Sequence, residues 1–315
     1  GGTPSLLPYA EISEILDFFI SKNTEEITLE ANPEDLYKEY VQLLSSSSIN
    51  RISLGIQSFD DGILRFLGRK HNAKQAFEAI DLLQTNGFNN ISVDLIVGIE
   101  NENLVNIKQS IDYLHKQKIP HFSLYLLTIE DGSNFKKRID KNQLLAPSDD
   151  YQAFAYETLQ QHLLSLGYEQ YEISSYGLTN YESKHNQVYW SSKDYIGLGP
   201  SAHSMIREAD GSIVRSYNQS LLSDWLKDPC FNINIEKISA KEALKESLAF
   251  GLRNMKQGIN PLLLANICQS NVEENFYKVM EKFIKIGLIK QNNDYFYITN
   301  KGALFADMIM RDILA

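Results

Sequence analysis

The sequence predicts an α/β chain with parallel βα repeats through its first half and a separate α+β module at its end. Three observations carry this. Short apolar strands alternate with amphipathic helices at roughly thirty-residue spacing, which is how parallel βαβ units read. Each strand is followed by polar residues: Glu30, then Gln57, then Asp94 with Gly98, then Thr128 with Glu130. In βα folds the carboxyl ends of the strands share the face that holds the chemistry. From about Ser239 the pattern changes to closely spaced helices and one hairpin. Spacing leaves closure open, since an open sheet and an incomplete barrel fit it equally.

Taken in order, Ser13 is placed to cap a helix through Phe19, with Ile15, Leu16, Phe19 and Ile20 along one face. A strand over Ile27–Leu29 ends in Glu30-Ala31-Asn32-Pro33, and Pro33 suits the start of a helix over Glu34–Leu44. Residues 51–71, RISLGIQSFDDGILRFLGRKH, form the central unit. Ile52, Leu54 and Ile56 alternate as a strand; Gln57-Ser58-Phe59-Asp60 makes a polar hook; Ile63, Leu64 and Leu67 recur at helical spacing. Then follow a helix Ala73–Thr85, a strand Ile91–Val97, a helix Leu104–His115, a strand Phe122–Leu127 and a long helix from Ser148 or Asp149 to Leu166. YEQYEISSY, residues 168–176, is rich in β-favouring residues and reads as the last strand of this domain. Three regions result: 1–176 with the βα repeats, a loop-rich 177–237, and 238–315. In the last, helices over Lys241–Met255, Asn260–Ile267 and Val272–Ile286, a hairpin Leu288–Thr299 and a helix from Lys301 resemble a winged-helix module.

A formal charge of −10 and a pI near 5.2 argue against a nucleic-acid partner, because binding a phosphate backbone needs a concentrated positive surface. The longest basic run, Lys136-Lys137-Arg138, is bracketed by Glu130, Asp131 and Asp140 and reads as a solvated loop. Only Cys230 and Cys268 are present, far apart, which points to neither a disulfide framework nor a zinc site and suits a reducing cytoplasm. No apolar run approaches the ~20 residues of a membrane span, and no signal peptide opens the chain. The opening Gly1-Gly2-Thr3-Pro4-Ser5 reads as the middle of a loop, so a truncated chain is expected.

Gly1-Gly2-Thr3 can bring backbone and hydroxyl groups close to a small zwitterion, because no Cβ intervenes at the glycines. Glu30 and Asp94 are candidates for an amine or a ribose hydroxyl, and Gln57 and Arg69 for a carboxylate. A rim with both signs of charge suits an amino acid joined to a nucleoside. A nucleotide would ask for a glycine-rich nest at a helix start.

Seven motifs in this order, GGTPSLL, LEANPEDL, RISLGIQSFDDGILRFLGRKH, SVDLIVGI, SLYLLTIEDG, HNQVYW and GLGPSAHS, resemble the oxygen-independent coproporphyrinogen III oxidase family of radical S-adenosylmethionine (SAM) proteins. HNQVYW and the C-terminal module make the chain most similar to that family's haem chaperone HemW branch. The resemblance implies an incomplete, TIM-like parallel (βα)6 barrel that holds SAM along its inner rim. It places Gly1, Gly2 and Thr3 on the family's SAM-contacting glycine motif and Glu30 on its acidic contact. Gln57, Arg69, Asp94 and Thr128 fall on the remaining SAM contacts, Thr128 through its backbone. The family's Cys-x3-Cys-x2-Cys motif, which holds a 4Fe-4S cluster and precedes the GGTP turn, is absent. The resemblance therefore implies a cluster in the intact protein and none here, with radical chemistry inactive in the chain as given.

His185 beside Asn186, followed by Tyr189 and Trp190, offers an iron ligand next to flat aromatic surfaces. Read alone, the stretch is a core histidine with packed aromatics. The resemblance makes it the haem site of a chaperone that hands haem to acceptor haemoproteins, with His185 as candidate axial ligand, and a dimer is compatible with it. Two other readings compete. One is an enzyme that oxidatively decarboxylates coproporphyrinogen III to protoporphyrinogen IX in porphyrin biosynthesis, although the substrate-handling features of that branch are not found. The other is a winged-helix regulator with a degenerate barrel as sensor, which the acidic balance disfavours.

Overall fold

The computed structural model describes residues 3–100, 102–132, 134–141, 144–229 and 233–315. It divides into two compact units, one formed by residues up to 169 with 174–182, the other by 170–173 with 183–315.

The first unit holds α1 (Tyr9–Phe19), β1 (Thr28–Ala31), α2 (Lys38–Ser45), β2 (Arg51–Gln57), α3 (Asp61–Phe66), α4 (Ala73–Thr85), β3 (Ile91–Val97), α5 (Leu104–Lys116), β4 (His121–Leu126), α6 (Asn134–Asp140) and α7 (Asp149–Ser165). Next come the short β5 (Glu169–Gln170) and β6 (Ser175–Gly177). β1 to β4 lie side by side in order and are all parallel. Ile52, Leu54 and Ile56 of β2 are fully buried and share one core with Tyr40, Val41 and Leu44 of α2 and Ile80 and Leu83 of α4. Strand alternation then sends Ser53, Gly55 and Gln57 to the opposite, inner face. Polar caps begin the helices where the loops need them. Asp60 accepts from Gly62 N–H and Ile63 N–H, and Asn72 with Gln75 closes a capping box on α4.

Four expectations are corrected. α1 starts a turn before Ser13, with Pro8 at its N-cap, and the residue it buries is Ile12, while Ile15, Phe19 and Ile20 are exposed. The helix expected over Glu34–Leu44 is split into a 3-10 turn (Pro33–Asp35) and α2, because Leu36 turns extended and packs into the core. The single strand expected over 168–176 is two short ones, β5 and β6, and β6 runs antiparallel to β4, pairing Phe122 with Tyr176. β propensity marks a strand and says nothing of its direction. Finally, the region expected to be loop-rich carries α8 (Lys184–Trp190) and an antiparallel meander of β7 (His203–Arg207), β8 (Ile213–Asn218) and β9 (Ile233–Ile238), with α9 (Leu222–Trp225) between the last two. These strands bury few side chains, so their sequence lacks the apolar alternation that announces a core strand.

The second unit continues with α10 (Ala240–Gly251), α11 (Pro261–Ile267), α12 (Glu274–Lys285), the hairpin β10 (Ile289–Asn292) and β11 (Tyr295–Ile298), and α13 (Ala306–Leu314), the order expected of a winged-helix module. Leu248, Phe276, Phe283, Phe296 and Ile309 centre its own core. Among the described residues no helix is long and apolar enough to cross a membrane.

Candidate functional site

The inner face of the parallel sheet is polar. Glu30 pairs with Ser53 in register, and Asp94 with Ser123, so these residues face the same side of adjacent strands. Ser53 Oγ donates to Asp94 Oδ2 at 2.8 Å and Ser92 Oγ donates to Oδ1 at 3.0 Å. Burial raises the Asp94 pKa against these hydroxyl bonds, which favour the carboxylate, and the charge of Arg51 also works against the rise. One layer deeper, His121 Nδ1 lies 2.8 Å from Ser92 Oγ. Burial, and then the charge of Arg51, hold its pKa well below the imidazole range, so His121 is neutral. With the Ser92 hydroxyl hydrogen committed to Asp94, His121 Nδ1–H is the donor in that contact.

At the strand ends three segments converge on Asn32, two residues past Glu30 and on the same face. Arg69 Nη1 donates to Asn32 Oδ1 at 3.3 Å. Gln57 closes β2 with φ of +67° after a register shift against β3. A Cβ on Gly55 would lie 2.9 Å from Gln57 Nε2 and 3.3 Å from Asn32 Oδ1, so the amides of Gln57 and Asn32 both lie close over the bare glycine. Arg69 is fixed from behind: buried His71 places Nδ1 2.8 Å from Glu34 Oε2 and Nε2 3.0 Å from the Ile56 carbonyl, tying the loop after α3 to the tip of β2. Ser5 Oγ accepts from Asn32 N–H and donates to Asp35 Oδ2, which fastens the segment after Thr3 to the end of β1.

The structure thus brings Arg69 onto Asn32, sets the Gln57 amide near the same Asn32, and aligns Glu30 and Asp94 on one face. Thr3 is the N-cap of the first 3-10 turn, and Thr128 is exposed two residues beyond β4. Gly1 and Gly2 lie outside the described residues. Sequence reasoning overlooked Asn32, the serine trio and His121. Their signal was the strand period itself, which sets Asn32 on the face of Glu30 and Ser92 on the face of Asp94.

This donor set fits SAM: a guanidinium and an amide for a carboxylate, and carboxylates for an amine or ribose hydroxyls. The described residues do not fit an iron–sulfur cluster. Cys268 is buried, with Arg207 Nη1 donating to its Sγ at 3.2 Å, and Cys230 lies outside the described residues.

The second candidate site lies in the other unit. Ser183 caps α8 by accepting from Asn186 N–H, and four-residue spacing sets His185 and Tyr189 on one helical face. Tyr189 Oη is 2.7 Å from His185 Nε2, with the rings edge to face at 5.0 Å. Trp190 is not beside them as a free plate, because the Arg253 guanidinium lies 4.5 Å over its ring. The GLGPSAHS motif is architectural: a Cβ on Gly197 would collide with the His203 backbone, so the loop closes tightly before β7.

The Radical SAM superfamily profile matches residues 1–114. The heme chaperone HemW of Lactococcus lactis subsp. lactis is 32% identical over 308 residues, covering 96% of this chain and 80% of that protein. The heme chaperone HemW of Bacillus subtilis is 29% identical over 318 residues, covering 98% and 82%. Among solved structures, the coproporphyrinogen III oxidase (HemN) of Escherichia coli, a radical SAM enzyme, superimposes with a TM-score of 0.79 over 99% of this chain and 76% of that one, at 18% identity.

Proposed function

The chain belongs to the heme chaperone HemW family, and from that premise we propose that it binds haem as cargo and passes it to acceptor haemoproteins, with SAM held on the strand-end rim of the first unit. One observation carries the reading: identity of 32% extends over 96% of the chain, so it takes in both the rim and α8. Likeness of fold to the coproporphyrinogen III oxidase carries no activity at 18% identity.

On the rim, Arg69 and Gln57 take the amino-acid carboxylate while Glu30 and Asp94 take the amine and ribose hydroxyls. Bound there, SAM supplies a sulfonium; the chain's own residues bind and orient it. On α8, exposed His185 is the group that meets iron. Its ring is steadied by the Tyr189 hydroxyl, as hydrogen-bonded neighbours steady metal-binding imidazoles. Ligation through Nδ1 leaves this hydrogen bond in place, whereas ligation through Nε2 must displace it.

Titration with haem, followed by the Soret band, tests the proposal. The wild type binds stoichiometrically, and His185→Ala weakens binding about ten-fold or more, in line with the loss of a ligand or its support. Unchanged binding in His185→Ala removes His185 from the site. Tyr189→Phe weakens haem if iron sits on Nδ1 and strengthens it if iron sits on Nε2.

A further inference from the structure

The chain carries a net charge of −10, yet one cavity of the first unit is lined by positive charge alone. It has a volume of about 650 Å³ and lies between the end of α3, which supplies Arg65 and Phe66, and α6, which supplies Phe135, Lys137 and Arg138, with Lys141 just beyond. The remaining lining is uncharged. Asp140, the nearest acid on α6, is taken up by Lys136 at 2.6 Å. Among the described residues none of the four lining cations belongs to an ion pair.

Helix-end electrostatics account for part of this, since cations near a helix carboxyl end are favourable. Arg65, in the last turn of α3, and Lys137 and Arg138, in that of α6, all fit this rule, but it does not explain why two helix ends about seventy residues apart in the chain share one hollow. Nor does it cover Lys141, which lies one residue beyond α6. Four unpaired cations around one hollow are stabilised by an anion that enters it. Phe66 and Phe135 give the hollow an apolar wall, their rings 5.1 Å apart and inclined at 55°. The volume falls in the range of small-molecule sites.

We propose that this cavity binds the carboxylate-bearing edge of a porphyrin, with the macrocycle against Phe66 and Phe135 and the side-chain carboxylates on Arg65, Lys137, Arg138 and Lys141. It rests on the reading of the chain as a porphyrin-handling protein and adds a site that recognises the ligand's carboxylates and ignores its metal. Gly68 of the same cavity immediately precedes Arg69 of the rim, so a ligand here acts on the loop that presents Arg69.

The probe is metal-free protoporphyrin IX, followed by its fluorescence, beside its dimethyl ester. The free acid binds and loses affinity as salt rises, while the ester binds about ten-fold more weakly or not at all. The combined variant Arg65→Gln/Lys137→Gln/Arg138→Gln, which alters only exposed side chains, loses about ten-fold in affinity for the free acid at an unchanged melting temperature. His185→Ala leaves metal-free binding unchanged. Equal binding of acid and ester, or full affinity in the triple variant, overturns the proposal. Displacement by inorganic pyrophosphate at concentrations below the porphyrin's own affinity overturns it too, and assigns the cavity to phosphates. Haem binding that is unchanged by His185→Ala and lost in the triple variant would sink the α8 site of the chaperone reading and leave this cavity standing.

Discussion

Gly55 sits where any side chain would push apart the two amides that lie close above it. Its missing Cβ lets Gln57 fold back over the strand towards Asn32, and Asn32 in turn holds the Arg69 guanidinium. Gly55→Ala therefore disturbs the rim without emptying the core. The atoms the added Cβ would meet first are the ends of flexible side chains, which move aside at little cost to the fold, so SAM affinity measured by equilibrium dialysis should fall about ten-fold with the melting temperature nearly preserved. SAM binding equal to the wild type would mean that the rim is not the site. That Glu30, Gln57 and Asp94 share a strand face was legible from the period of two, whereas Arg69 follows α3 and reaches Asn32 only through the fold. Asn32 stood in plain view within LEANPEDL, but its role depends on a guanidinium 37 residues later, which no local pattern announces.

Individual elements carry their own chemistry. The loop from β3 to α5 is closed by Glu102, whose Oε1 accepts from Gly98 N–H at 2.7 Å. Burial pushes the Glu102 carboxyl up to about 7, against the hydrogen bonds from Gly98, Ile99 and Tyr151 that favour the carboxylate. A raised pKa means that the folded chain holds this proton more tightly than the unfolded chain. Its stabilising contribution is complete below about pH 4.5 and is lost as pH rises through about 7. The effect amounts to at most about 3 kcal/mol. Thermal unfolding scanned from pH 4.5 to pH 7.5 should show the wild type losing stability relative to Glu102→Gln; parallel curves would refute the assignment. β2, β3 and α4 were readable because burial on one face stamps a period on the sequence. The meander of β7 to β9 was not, since strands that bury little are free to carry polar residues on both faces. The basic run in α6 read as a solvated loop because Arg65, which shares its cavity, lies far away in the chain.

Across the whole molecule, 40 acidic residues outweigh 30 basic ones, and the winged-helix-like module holds its own core. Duplex DNA at low salt should give no shift in a gel, since non-specific binding needs clustered positive charge to release counterions. A salt-sensitive shift would revive a regulatory reading of that module. The sequence by itself determined the order of parallel βα units, the face on which Glu30, Gln57 and Asp94 stand, and the succession of helices and hairpin at the end. All of these follow from local periods of two or 3.6 residues, which each segment carries within itself. Tertiary structure alone decided that Asn32, Gln57 and Arg69 meet, that β6 turns against its neighbour, that Arg253 covers Trp190, and that Arg65 joins the cations of α6 around one hollow. Each of these is a contact between residues distant in sequence, set by how the elements pack, and no repeat along the chain encodes it.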